Sequence, residues 1–179
     1  GKLYKGSILE HLLIQNLAQF FNVGEHNIIR LENADWNDGL DLAPDKGESV
    51  TFSFMYAHNL KSLCAFLEVL KTQQISVSLL KELTALLDTL NCSIDYTDYK
   101  AKQRLLAGYF EKTKSISGIK VEVSLEDLIS DLEAKYHHLF DWLARKEWLK
   151  VGFFSGYYDN KALRAEGKFG NKIRIFLPS

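Results

Sequence analysis

The chain has 179 residues, 46% of them apolar, with 23 acidic and 22 basic side chains and a formal net charge of −1, the makeup of one globular unit with its own core. So balanced a charge gives no basic field for following a phosphate backbone, which excludes general nucleic-acid binding, and no apolar run approaches the ~20 residues that a bilayer-spanning helix needs. Cys64 and Cys92 stand far apart with no Cys-x-x-Cys spacing, so neither a disulfide nor a zinc site is expected and a reducing, cytoplasmic setting fits.

The first predicted element is a helix. Ser7-Ile8-Leu9-Glu10 reads as a capping box, and Leu9, Leu12, Leu13, Leu17 and Phe20 or Phe21 keep helical spacing until Gly24 supplies a stop. The short apolar run Ile28 to Leu31 leads into an acidic loop, which is thereby hung on an element packed in the core. From Glu48 to about Leu70, Phe52, Met55, Tyr56, Leu60, Leu63, Leu67 and Leu70 form one helical stripe, with Phe54, Cys64 and Phe66 widening it towards burial. Glu48 is expected to cap this helix from its first turn.

Further helices are expected over about Ser76 to Leu90, about Asp98 to Lys114, and Leu125 to Trp148 with Ser124 as N-cap, and Ser117 to Val123 reads as a strand or loop. After Lys150, Phe153-Phe154, Tyr157-Tyr158 and Ile173 to Phe176 read as strands or extended loops. The fold class is therefore mainly α, and helices recurring every ~25 to 30 residues suggest stacked hairpins of a partial (α/α)6 toroid with short β or loop insertions. Residues 1–179 are expected to form a single unit. The opening Gly and the apolar strand-like run at Lys172 to Ser179 suggest an internal fragment of a longer catalytic domain.

The chemistry lies in Asp35-Trp36-Asn37-Asp38-Gly39-Leu40-Asp41. An indole offers a flat apolar platform to the C–H face of a pyranose, carboxylates and Asn bond its hydroxyls, and one tuned carboxyl can protonate a glycosidic oxygen. The same residue types also make ordinary turns, and a Trp at a loop edge can simply plug a core. A calcium loop does not fit: with Gly39 at the sixth position of an EF-hand, the first and third fall on Ala34 and Trp36, which cannot ligate a hard cation.

Asn33-Ala34-Asp35-Trp36-Asn37-Asp38-Gly39-Leu40-Asp41, followed by Gly47-Glu48-Ser49-Val50, resembles the active-site loop of inverting glycoside phosphorylases of the cellobiose phosphorylase type. A second stretch, Gly156-Tyr157-Tyr158-Asp159-Asn160, then Glu166-Gly167 and Ile173-Arg174-Ile175-Phe176-Leu177, looks like the segment that follows that loop in the same family. The wording of the loop and the long helical insert look closer to the 1,2-β-oligoglucan phosphorylases. The resemblance implies Asp38 as general acid and Trp36 as a wall of the sugar subsite, with Asn37 and Asp35 beside them as substrate-binding groups. It also implies no cofactor and no metal, inorganic phosphate as co-substrate, a β-linked gluco-oligosaccharide as substrate, and a homodimeric parent enzyme.

On that reading Asp38 protonates the glycosidic oxygen while phosphate attacks the anomeric carbon from the opposite face, giving α-glucose 1-phosphate. Phosphate is already an anionic nucleophile, so one catalytic acid suffices, whereas an inverting hydrolase needs a second carboxylate as base. Asp35 or Asp41 would raise the pKa of Asp38 by like-charge repulsion. The residues that hold phosphate in the family find no counterpart between Gly1 and Ser179. The alternatives are an inverting glycoside hydrolase on the same scaffold and a non-catalytic carbohydrate-binding or structural remnant.

The other candidates read as structural. His11, His26, His58, His137 and His138 form no metal-ligand spacing, and Ser7, Ser49 and Ser155 lack a nucleophile elbow. Lys71, Lys81, Glu82, Lys100, Lys102, Arg104, Glu111, Lys112 and Lys114 are expected on solvated helix faces.

Overall fold

A computed structural model describes residues 4–32, 43–91, 93–169 and 171–175. Helix α1, Ile8–Phe21, opens on the expected capping box: the Ser7 hydroxyl accepts from Glu10 N at 3.1 Å, and Ser7 N donates to the Glu10 carboxylate at 2.6 Å. Leu13, Leu17, Phe20 and Phe21 are fully buried. The helix stops at Asn22, and the chain turns back so that Val23 pairs with Ile29. Asn27 takes the left-handed conformation within this turn, φ 63°, which Asn tolerates better than most residues.

Strand β1, Glu48–Ser49, runs straight into α2, Val50–Lys71. Ser49 is the N-cap, accepting from Phe52 N at 3.1 Å. Leu60, Leu63 and Leu67 of the expected stripe are buried, as is Cys64, expected to widen it, whereas Met55 of the stripe and Phe66, expected to widen it, are exposed. Cys64 is a free, buried thiol whose pKa burial pushes up to about 11; Cys92 lies outside the described residues.

The helix expected over about Ser76 to Leu90 is not formed. Strand β2, Ser76–Leu80, is followed by 3-10 turns at Lys81–Leu86 and Asp88–Leu90. In Ser-Val-Ser-Leu-Leu, Val77 and Leu79 face the core while Ser78 is exposed, and the segment pairs antiparallel with β3, Lys120–Ser124. A partner strand forty or more residues away thus overrides helical propensity.

Helix α3, Tyr99–Thr113, is capped by Asp98, and α4, Leu125–Lys146, is capped by Ser124 at the end of β3. Helix α4 packs along α2, with Leu125, Leu128, Leu132, Leu139 and Leu143 fully buried. Beyond it lie β4, Tyr157–Tyr158, paired with β1, and the hairpin of β5, Gly167–Phe169, with β6, Lys172–Arg174. The architecture is mainly α with short β insertions, as expected. No helix among the described residues is long and apolar enough to cross a membrane.

Two lysines lie inside this helical core. Lys135 Nζ is bound by Asp131 at 2.6 Å and Asp88 at 2.8 Å, and those carboxylates also accept from Thr89, Ile94 and Tyr96. Lys102, expected on a solvated face, is instead fully buried: Nζ donates to Asn27 Oδ1 at 3.0 Å and lies 4.1 Å from the centre of the Phe20 ring. Burial, aided by the nearby Lys135 charge, pulls its pKa down to about 7.

The two lysines should answer substitution differently. Lys135→Met strands Asp88 and Asp131 without their cation and is expected to lower unfolding stability by about 3–5 kcal/mol in urea melts. Relative to Lys102→Met, the wild-type chain should gain stability as pH rises from about 7 to the ordinary lysine value of 10.5. In that window the unfolded chain binds the proton and the folded one does not. A stability difference that stays flat across it contradicts the buried-amine account.

Candidate active site

Asp35, Trp36, Asn37 and Asp38 fall within 33–42 and so lie outside the described residues. The frame that carries this loop is described on both sides. Its entry, Leu31, donates to Gly47 O at 2.9 Å, Gly47 N donates back to Ala43 O at 2.9 Å, and Ser49 N donates to Ile29 O at 2.8 Å. A Cβ at Gly47 would run into the Ala43 carbonyl, so only glycine allows the two arms to close. Leu31 and Ala43 are both buried, so the loop leaves and re-enters the core at fixed points.

The second motif braces this base. Strand β4 sets Tyr158 opposite Glu48 and Tyr157 opposite Ser49, and Val50 N donates to Gly156 O at 2.9 Å. Asn160 Oδ1 accepts from both Asp45 N and Lys46 N at 2.9 Å. Leu31, Tyr157 and Ala165 form a small core of their own, backed by Phe52. Gly156 N donates to the Glu166 carboxylate, which occupies the space a Cβ at Gly156 would need. Two segments more than a hundred residues apart in sequence are therefore one structural unit.

Glu48 is the electrostatic centre of that unit. The sequence reading made it a helix cap, but Ser49 caps α2, and Glu48, one residue earlier, turns back into the core with no exposed surface. Its carboxylate accepts from His26 N at 3.1 Å and Ile28 N at 3.2 Å and meets His26 Nδ1 at 2.5 Å. Burial pushes its pKa up, and the His26 contact opposes the rise. A Cβ at Gly24 would sit 2.5 Å from the Glu48 carboxyl carbon, so Gly24 is required by the carboxylate.

From Glu48 the contacts continue to the end of α4. The His26 ring stacks on Tyr158, with centroids 3.7 Å apart. Tyr158 OH donates to Glu147 at 3.0 Å, while Arg164 Nη2 donates to Tyr158 OH at 2.6 Å and to Glu147 at 3.0 Å. Trp142 Nε1 donates to His26 O at 3.0 Å. Burial, with the Glu147 charge, drives the Tyr158 pKa upward, so this hydroxyl keeps its proton. Sequence reasoning missed His26, Glu147 and Arg164, because no local pattern marks residues whose partners come from distant elements. Among the described residues no group of three or more His, Cys, Asp or Glu side chains could hold a metal ion.

The two described ends of the loop, Leu31 and Ala43, are thus anchored in a mainly α scaffold. Residues 2–124 match the catalytic domain of the glycosyl hydrolase 94 superfamily, and the chain belongs to that superfamily. The matched span includes the loop and ends before the second motif. No curated protein matches the chain.

Substitutions at adjacent residues separate bracing from capping. Glu48→Ala leaves the buried His26 and Ile28 amides without an acceptor and is expected to cost about 3–5 kcal/mol, against about 1 kcal/mol for Ser49→Ala, which removes only a cap. Equal costs in urea denaturation would return Glu48 to the capping role.

Proposed function

We propose that this chain carries the acid-bearing site of an inverting glycoside phosphorylase acting on a β-linked gluco-oligosaccharide, in the manner of the 1,2-β-oligoglucan phosphorylases. Asp38 donates a proton to the glycosidic oxygen as the anomeric C–O bond breaks. A phosphate oxygen attacks the anomeric carbon from the opposite face, and α-glucose 1-phosphate leaves with inverted configuration. Trp36 supplies the apolar platform for the sugar, Asp35 and Asn37 bond hydroxyls, and no cofactor is required.

The observation that carries this reading is the joining of the two resembling motifs at the base of the loop, β1 against β4 with Asn160 bonded to Asp45 and Lys46. Both described ends of the acidic loop are tied into the core, which supports a firmly held proton donor in a member of this superfamily. The large core cluster running from α1 through α4 to Tyr158 supports a single unit over 1–179. The free thiol of Cys64 suits a cytoplasmic location, and a homodimer completes the reading.

The decisive variant is Asp38→Asn in the native protein. It is expected to lower phosphorolysis by about a thousandfold or more, within the range for losing a general acid, while sugar binding measured by calorimetry changes little. Sugar release that continues without phosphate would make the protein an inverting hydrolase. A rate unchanged by Asp38→Asn would remove Asp38 from catalysis.

A further inference from the structure

Between α3 and the 3-10 turn Lys81–Leu86 lies a groove of about 690 Å³, lined by no residue of the loop frame. Three of its features leave groups available to a ligand. Gly108 stands in the middle of α3, where glycine weakens a helix, yet a Cβ there would meet nothing within 4 Å. It is therefore not glycine for the sake of packing among the described residues, and it leaves the helix backbone open to whatever enters the groove.

The neighbouring Tyr109 lines the groove; the residue is mostly buried, but its hydroxyl is open to solvent and makes no hydrogen bond among the described residues. Open to solvent, this hydroxyl can donate to or accept from whatever enters the groove. The third feature is charge. The ammonium groups of Lys81 and Lys112 enter no ion pair among the described residues, and Arg104 is held only by Asp98 at 3.3 Å. Asp88 also lines the groove, but Lys135 compensates its charge from within the core. Glu82 is anchored through Oε1 by Ser117 N at 2.8 Å, and Oε2 has no partner.

Cations, a hydroxyl and an unsatisfied carboxylate oxygen side by side suit a molecule that presents both an anion and hydroxyl donors. We propose that this groove is a second binding site, for a sugar phosphate, with Lys81, Arg104 and Lys112 on the phosphate and Tyr109 and Glu82 on hydroxyls. The assignment stands on the groove's own chemistry. The reaction proposed at the loop adds only a reason for such a molecule to be near.

The probe is glucose 1-phosphate, followed by calorimetry and by hydrogen exchange of the peptide spanning α3. In the wild-type protein the peptide should gain protection. Gly108→Leu fills the groove while improving helix propensity, so its Tm should stay level or rise. That variant, and separately the pair Lys81→Glu with Lys112→Glu, should weaken the protecting interaction by about tenfold or more, as expected for losing charge-assisted contacts. Absence of protection in the wild type, or protection unchanged in the variants, overturns the site. Equal affinity for inorganic phosphate would reduce it to an anion patch and overturn the sugar assignment, and equal affinity for glucose would overturn the role of the cations. Failure of Asp38 as the catalytic acid would leave every one of these results untouched.

Discussion

The carboxylate of Glu48 has no contact with solvent, and the neighbourhood of the loop follows from satisfying it. A buried carboxylate without partners is among the costliest groups a core can hold, so its oxygens must be met from fixed directions. Two backbone amides and a ring nitrogen from the turn at residues 24 to 28 do this. That turn is consequently shaped around Glu48: Gly24 must lack a side chain, and His26 must lie flat against Tyr158. Strand β1, on which Glu48 sits, then has Tyr158 as its cross-strand neighbour, and the second motif is fixed by the same contact.

The turn is held from the other side as well. Asn27, in its left-handed conformation, donates to Tyr96 O at 2.9 Å and accepts from Lys102 at 3.0 Å. Lys102 in turn belongs to α3, and Tyr96 bonds Asp88, the partner of Lys135 on α4. Neighbouring residues of one turn thus face opposite ways, His26 towards the loop frame and Asn27 towards the polar centre of the helical core. The frame is tied to two helices, α3 and α4, through buried polar contacts, which tolerate far less misplacement than apolar packing does.

What could be read from the residues divides along the same line. Helices α1, α2, α3 and α4 were legible because their signals are local: Ser7 with Glu10 and Ser124 as caps, and apolar stripes with helical spacing. The segment from Ser76 to Leu90 was misread because β2 depends on β3, and Lys102 was misread because a lysine on a helix gives no sign of which side faces the core. The acidic loop and the Gly156 to Asn160 stretch stood out by composition and resemblance. The network that braces them did not, since His26, Glu48, Glu147, Tyr158 and Arg164 come from separate parts of the chain and acquire meaning only when brought together.

The electrostatics of the frame bear on how a loop carboxyl could act as an acid. A general acid must keep its proton near neutral pH, so any free cation beside it would work against it by favouring the carboxylate. Three cations of the frame are already committed: Arg30 pairs with Glu32 at 3.8 Å and donates to Asp45 O at 3.0 Å, Lys46 pairs with Glu25 at 3.0 Å, and Arg164 pairs with Glu147 at 3.0 Å. With these three cations engaged, none of them is free to favour the carboxylate form of an acid held nearby. The same commitment means that these three cations are poorly suited to hold an attacking phosphate. A phosphorylase built on this frame must therefore draw its anion site from other groups, so that proton donor and anion are held by separate parts of the protein. That separation is chemically sound, because a cation placed for the nucleophile on one face of the sugar then leaves the acid on the other face protonated.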